Sequence, residues 1–291
     1  MNGILNVNKS LGLSSFDVVR KIKKIAHTKK VGHTGTLDPE ASGVLPICIG
    51  GATKFADYIM KADKVYRATL KLGIVTDTYD KEGKVLRTSE VTVGEEEIIP
   101  TIMSFVGSIK QVPPMYSALK VNGQRLYSLA RKGIEIERVA RDIEIFSIDI
   151  LEMNLPYVVF DVKCSKGTYI RSLCYDIGEK QGCGGAMWGL IRTSSGFFNI
   201  ENSVRLEELD EENISDHLIP VDKALWNYPS ATFAMKFVSL LINGVSLQDK
   251  NAIGSLTMEV IYRVYSDDSK FIGIGKLSQS GFKMVKQFIE V

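Results

Sequence analysis

Cysteine is sparse in this 291-residue chain. The four present, Cys48, Cys164, Cys174 and Cys183, include no C-x-x-C pair, so neither a zinc site nor a disulfide framework is expected. No apolar run approaches the roughly 20 residues that cross a bilayer, and no membrane-spanning helix is expected. The stretch from Met1 to Lys9 reaches polar residues too soon for a signal peptide, so the expected setting is the reducing cytoplasm. Net charge is small as well, at +2. What remains, 45% hydrophobic and 24% charged residues, is an ordinary globular composition with enough chain for one large domain, or a large and a small one.

The small net charge hides a strong segregation. Residues 1–30 carry seven Lys/Arg against Asp17 alone, and residues 109–141 carry seven against Glu135 and Glu137. Residues 201–222 reverse the sign, with eight Asp/Glu against Arg205. Single charge runs are commonly just solvated surface, but two separate basic segments suit a polyanion such as nucleic acid.

The most informative stretch is V-G-H-T-G-T-L-D-P-E-A-S-G-V-L-P, from Val31 to Pro46. Its glycines and prolines leave no room for a regular helix or a central strand. Pro39 pushes Asp38 into an extended conformation, and a rigid loop of this kind aims a carboxylate through the backbone. Two roles stay open for Asp38 on these grounds: capping the Asp38-Pro39-Glu40 turn, or catalysis.

Before this loop, Ser14-Ser15-Phe16-Asp17 has the form of a capping box, and the helix after it would bury Phe16, Val19, Ile22 and Ile25. Arg20, Lys21, Lys23 and Lys24 fall on its other faces. A second helix is expected over 52–61. Lys64 to Leu72 alternates as a strand with Tyr66, Ala68, Leu70 and Leu72 on one face, leaving Tyr66 as either a core residue or a stacking platform. Glu95 to Val106 reads as a helix with acids in its first turn and Pro100 inside it.

The segment from Val112 to Lys120 contains Pro113-Pro114 and cannot be interior sheet. With an Asn122-Gly123 turn and a short helix from Gln124 to Arg131, it forms a basic arm suited to a sugar–phosphate backbone, or an ordinary surface excursion. Strands are expected at 143–151 and 157–164, then a turn into a helix striped by Ile170, Leu173, Cys174 and Ile177. Arg171 falls in that helix's first turn, where a cation opposes the dipole; holding a carboxylate or a phosphate explains it better than serving the helix. Leu190 defaults to a core role. The acidic stretch 201–222 reads as a surface helix leading to a small all-β unit from Tyr228 onward.

Four stretches together carry a resemblance: H-T-G-T-L-D-P-E-A-S-G-V-L-P-I-C-I-G-G-A-T-K, K-V-Y-R-A-T-L-K-L-G, Q-V-P-P-M-Y-S-A-L-K-V-N-G and C-S-K-G-T-Y-I-R-S-L. In register from about Asn2 to Phe198, the chain resembles the bacterial tRNA pseudouridine-55 synthases of the TruB type. One departure is Ile191, where the family usually has a second arginine in L-R-R-T. The resemblance implies an α+β fold with a mixed, largely antiparallel sheet flanked by helices over 1–226, the 109–141 arm clamping RNA, and a small C-terminal β-rich PUA-like RNA-binding domain over 227–291. It implies conversion of one tRNA T-loop uridine to pseudouridine with no cofactor or metal, by a monomer with no obligatory protein partner and no membrane association.

Carried over residue by residue, the resemblance makes Asp38 the nucleophile and pairs Arg171 with it. Tyr66 stacks on the target base, Tyr169 and Leu190 line the pocket, and Lys166 and Arg192 contact substrate. His33 touches the RNA and fills the space left by the flipped base. A carboxylate suits this chemistry, because it can hold one fragment covalently, at ribose C1′ or uracil C6, while the uracil turns. Two rivals are a non-catalytic RNA-binding protein and an rRNA-directed synthase in a guide-RNA particle. The presence of Asp38, Tyr66 and Arg171 argues against the first, and the stand-alone basic arm without long basic tails argues against the second.

Overall fold

The computed structural model describes residues 1–117, 119–121 and 123–288, with the backbone alone for Lys120 and Arg125. The chain folds as two compact units, and the Ala41–Ile49 strand passes from one to the other between Gly43 and Val44. No helix among the described residues is long and apolar enough to cross a membrane.

The first unit comprises Met1–Asp38, Val44–Met60 and the chain from Gly196 onward. In it, Gly3–Lys9 runs parallel to Val204–Arg205, with Val7 opposite Val204. Val31–His33 pairs antiparallel with the strand that follows, His33 opposite Ile47. The Ser15–Ile25 helix starts at the expected capping box: the Ser14 hydroxyl accepts from the Asp17 N–H, and the Asp17 carboxylate accepts from the Ser14 N–H. Its buried stripe is Ser15, Val18, Val19 and Ile22, whereas Phe16, expected in the core, is 60% exposed. A serine opens the buried face because its hydroxyl is fully used there. It donates to the Leu37 carbonyl (2.9 Å) and accepts the Leu37 N–H (2.8 Å).

Phe55 anchors the core of this unit with Ile4, Val44, Cys48, Phe198, Leu225 and Ile274, its ring 5.9 Å from that of Phe271 and 6.0 Å from that of Phe288. The expected helix over 52–61 is a 3-10 turn at Gly50–Phe55 followed by one α turn at Ala56–Ile59. The C-terminal stretch forms a four-stranded sheet in the order Ser230–Phe233, Ile261–Ser266, Phe271–Ser278, Gly281–Gln287, the first pair parallel and the others antiparallel. Two helices, Met235–Ile242 and Lys250–Ile253, accompany it, and Val238 and Leu241 of the first pack with Phe233, Val264 and Phe282.

The acidic stretch is not the expected surface helix. It holds two 3-10 turns, Ile200–Asn202 and Leu206–Glu208, and a short helix, Val221–Ala224. Side chains there bind the backbone locally: Asp210 Oδ1 accepts from the N–H of Glu212 and Asn213, and Asn213 Nδ2 donates to the Glu208 carbonyl. Asp and Asn that satisfy nearby backbone groups in this way favour turns over helix.

The second unit comprises Pro39–Gly43 and Lys61–Ser195. Its sheet runs from residues 41–43 through Gly185–Ser195, Lys64–Leu72, Tyr157–Cys164 and Arg141–Asn154 to Gly107–Gln111. Leu190 runs parallel to Ala41, and every other pairing along this path is antiparallel. Gly43 makes the parallel pairing possible. Its φ is +100°, and a Cβ there would lie 2.3 Å from the Arg192 carbonyl oxygen. Ala68, Leu70 and Leu72 point into the core as the alternation predicts, and Tyr66, on the same face, is half-buried.

Two helices pack in this unit, Glu95–Met103, which keeps Pro100 inside, and Ile170–Lys180. The expected stripe Ile170, Leu173, Cys174, Ile177 is buried. Gly178 lets the second helix meet the Gly185–Ser195 strand, since a Cβ there would sit 2.0 Å from the Gly185 nitrogen. Between Gln111 and Arg141 the arm has little regular structure: the Lys120–Val121 and Gln124–Arg125 pair, then the Leu126–Ala130 helix, which stops before Gly133 at φ +70°. In the turn expected at Asn122-Gly123, Asn122 lies outside the described residues.

Candidate active site

In the first unit, the loop carrying Asp38 is fixed on both sides of its turn. The His33 backbone lies in the strand opposite Ile47, and its Nδ1 accepts the Gly35 N–H (3.3 Å). Thr34 is fully buried, and its N–H donates to the Pro46 carbonyl (3.1 Å). Leu37 is held by the reciprocal Ser15 bonds, so the residue just before Asp38 is locked to the start of a helix. Asp38 itself is half-buried and lies in no regular element. Ser15 escaped the sequence reading. Its only signal was a polar residue standing where an apolar one belongs in the helix stripe.

In the second unit two polar side chains at the start of the Ile170–Lys180 helix, Arg171 and Ser172, make fixed contacts. Arg171 is 7% exposed; its Nη1 lies 3.4 Å from Asp80 Oδ2, and its Nη2 donates to the Tyr116 carbonyl at 2.7 Å. Asp80 is fixed in turn, because its Oδ1 accepts from the Thr78 hydroxyl (2.6 Å) and the Glu82 N–H (3.1 Å). A buried cation with a carboxylate and a carbonyl on it has a fixed guanidinium plane. The Asp80 carboxylate beside Arg171 was not anticipated in the sequence. Asp80 lies 91 residues away in a turn that carries no periodicity, so nothing local links it to Arg171.

The same helix start is tied to the base of the arm. Gln111 Nε2 donates to the Tyr169 carbonyl (3.0 Å), and the Tyr169 N–H donates to Gln111 Oε1 (2.8 Å). The Ser172 hydroxyl donates to the Val112 carbonyl (2.9 Å). With Arg171 on the Tyr116 carbonyl, three side chains join arm and helix. Tyr169 keeps its side chain half-buried, while Lys166, in the preceding turn, is exposed.

Strand register places the other expected residues of this unit. Tyr66 stands between Val162 on one neighbouring strand and Arg192 on the other, and Leu190 stands opposite Ala68. Leu190 and Arg192 therefore share a strand face two residues apart. Arg192 is 1% exposed, a substantial burial for a guanidinium. Lys64, at the start of the Tyr66 strand and also buried, was not anticipated. Burial, followed by repulsion from Arg192, pushes its ammonium down to about 8, and it donates to the Ala62 carbonyl. Thus Tyr66, Leu190 and Arg192 are neighbours through the sheet, and Tyr169 and Arg171 through the helix start. His33 and Asp38 stand together on the first unit's loop.

Comparison with known proteins adds the family. Residues 23–170 match the model of the TruB family pseudouridylate synthase N-terminal domain, and residues 171–226 match that of the tRNA pseudouridylate synthase B C-terminal domain. The chain is 57% identical to the tRNA pseudouridine synthase B of Clostridium kluyveri, over 99% of this chain and 100% of that protein. It is 58% identical to that of Clostridium acetobutylicum, over 98% and 99%. Among solved structures, it resembles a chain in a Cbf5-Nop10-Gar1 complex at TM-score 0.76 and 28% identity, covering 99% of this chain and 84% of the other. A chain of an H/ACA RNP bound to a substrate RNA containing 2'-deoxyuridine matches at TM-score 0.75 and 25% identity, over 99% and 85%. A family match that fills most of the chain, with relatives above half identity along its whole length, leaves one conclusion: this chain belongs to the TruB family of pseudouridylate synthases.

Proposed function

We propose that this chain isomerises uridine in tRNA to pseudouridine, acting on the T-loop uridine at position 55. It works as a monomer in the cytoplasm, with no cofactor and no obligatory protein partner. The observation that carries the reading is the Asp38 loop, where Ser15 clamps the preceding residue and a half-buried acid follows on rigid backbone. Pre-positioning of this kind is what a nucleophile needs.

In the reaction, the target base leaves its stack at a cost of a few kcal/mol, least in an already distorted loop. Tyr66 stacks on it, which returns about 1–3 kcal/mol. Tyr169 and Leu190 form the pocket walls, His33 fills the space the base vacated, and the exposed Lys166 contacts the substrate's anionic backbone. Asp38 attacks ribose C1′ or uracil C6 and retains one fragment while the N1–C1′ bond breaks and the uracil turns. A C5–C1′ bond then forms and the bond to Asp38 breaks, freeing the carboxylate, while the C5 proton leaves and N1 gains a proton. The Tyr66 hydroxyl takes part in that transfer. Arg171, held by Asp80, orients the Asp38 carboxylate.

The test is to incubate the purified protein alone with unmodified tRNA and map any pseudouridine formed. Pseudouridine at position 55 supports the reading in full. Modification elsewhere would remove the assigned position, and none at all, from folded protein, would remove the activity.

A further inference from the structure

Outside the Asp38 loop, the first unit carries a basic cleft of about 440 Å³ at the far end of the Ser15–Ile25 helix, lined by Arg20, Lys23, Lys24, His27, Thr28 and Lys29. The lining begins at Arg20, about 8 Å along the helix from the Ser15 clamp, and continues past the helix end. His27 has φ +47°, and the Thr28 N–H bonds back to the Lys23 carbonyl. This reversal folds the chain back and brings Lys29 round to the lysines of the last turn.

Three observations point to an anionic ligand. Among the described residues, no carboxylate lies within ion-pair distance of Lys23, Lys24 or Lys29; Asp17 serves Arg20 (3.0 Å). Arg20 faces Lys23 and Lys24 at spacings of three and four residues, where like charges repel by a few tenths of a kcal/mol per pair. The helix dipole rewards cations in the last turn, but it gives no reason for Arg20 or for Lys29 beyond the helix end. Second, the exposed Phe16 ring holds two of these cations, Arg20 at 5.6 Å and Lys23 at 5.9 Å from its centroid, which orders side chains that would otherwise wander. Third, an anion of the chain itself already sits at the cleft: Glu211 Oε2 lies 2.9 Å from His27 Nε2.

We infer that this cleft is a second RNA-backbone subsite, in which Lys23, Lys24 and Lys29 bind phosphates of the substrate RNA away from the reacting nucleotide, with the Glu211 carboxylate competing for the same positive field. Phe16 is a positioning residue that holds Arg20 and Lys23 toward the strand. The inference rests on the RNA-modifying reading above and adds to it where part of the binding energy comes from. Contacts of this kind supply affinity and salt dependence without touching the reacting base.

The test uses the full chain and unmodified tRNA. Lys23→Gln, Lys24→Gln and Lys29→Gln combined should raise Kd about tenfold or more near physiological salt. The slope of log K against log salt should become shallower by about 3, roughly 1 per lost phosphate contact. The single-turnover rate at saturating enzyme should match the parent. The three Lys→Arg changes together should keep the parental slope, and Glu211→Gln should tighten binding about two- to fivefold. A control with Lys84→Gln, Lys163→Gln and Lys180→Gln removes the same charge from exposed sites elsewhere. A parental slope in the cleft variant, or an equal loss in the control, would overturn the subsite. The two proposals fail separately. A parent that binds tRNA but makes no pseudouridine defeats the function alone, and an active parent matched in binding by the cleft variant defeats the subsite alone. Thermal melts of every variant establish that it is folded, and the Lys→Arg set keeps the test decisive where Gln disturbs the helix.

Discussion

Arg171 and the lysines of the basic cleft are cations used in opposite ways. Arg171 is buried, faces the Asp80 carboxylate at 3.4 Å and donates to the Tyr116 carbonyl. Lys24 and Lys29 are exposed, and among the described residues no carboxylate reaches them. Desolvation makes the buried arrangement intolerant of a lost partner, and it fixes one geometry. Solvation lets the exposed arrangement tolerate excess charge, at the expense of geometric definition. The first kind of site can aim a reacting group; the second can gather a polyanion.

The buried side of this comparison is the easier to break. Asp80→Ala would leave the Arg171 guanidinium buried without its carboxylate, a loss of about 3 kcal/mol or more in stability. Turnover should fall by about a hundredfold or more, since the helix start and the arm are both held through Arg171. A parental melting temperature and a parental rate together would show that the Asp80 pairing holds nothing. Tyr66→Phe is gentler: tRNA binding should be normal, with single-turnover chemistry slowed at least tenfold. A parental rate would leave Tyr66 as a stacking platform only.

A smaller effect sharpens the contrast within one helix. Asp176 lies one turn beyond Arg171, and its carboxyl is pushed up to about 6 by burial and then by the nearby Glu179. A carboxyl raised above its unfolded value binds its proton more tightly in the folded state. Stability therefore falls as pH rises from about 4 through 6, and the charged form remains a burden above that. Asp176→Asn should gain about 1–2 kcal/mol at pH 7.5, after discount for its partial exposure, and nothing near pH 3.5. Denaturant melts at the two pH values measure this. An equal gain at both would assign the effect to something other than charge.

Much of this layout was legible in sequence because it is local. Ser14 and Asp17 announced the helix start, and the alternation around Ala68 announced its strand. The helix stripe Ile170, Leu173, Cys174, Ile177 was equally plain. Phe16 was misplaced because Ser15, a polar residue with a buried backbone task, broke the stripe that would have shown the true face. Asp80 and Lys64 were invisible for a different reason, since their burial arises from strand register and from a partner 91 residues away. The acidic stretch went wrong because Asp210 and Asn213 spend their side chains on neighbouring backbone groups, which periodicity does not register. The candidate site was read from the loop that breaks regular structure, and the fold from the segments that keep it.

The central claim is that Asp38 is the group that attacks. Single-turnover formation of pseudouridine on unmodified tRNA, by the parent and by Asp38→Asn at saturating enzyme, tests it most directly. The amide keeps the shape and loses the nucleophile, so tRNA affinity should stay near the parent's while product falls below detection. Product above a few per cent of the parental rate, with deamidation back to aspartate excluded by mass spectrometry, would contradict the account.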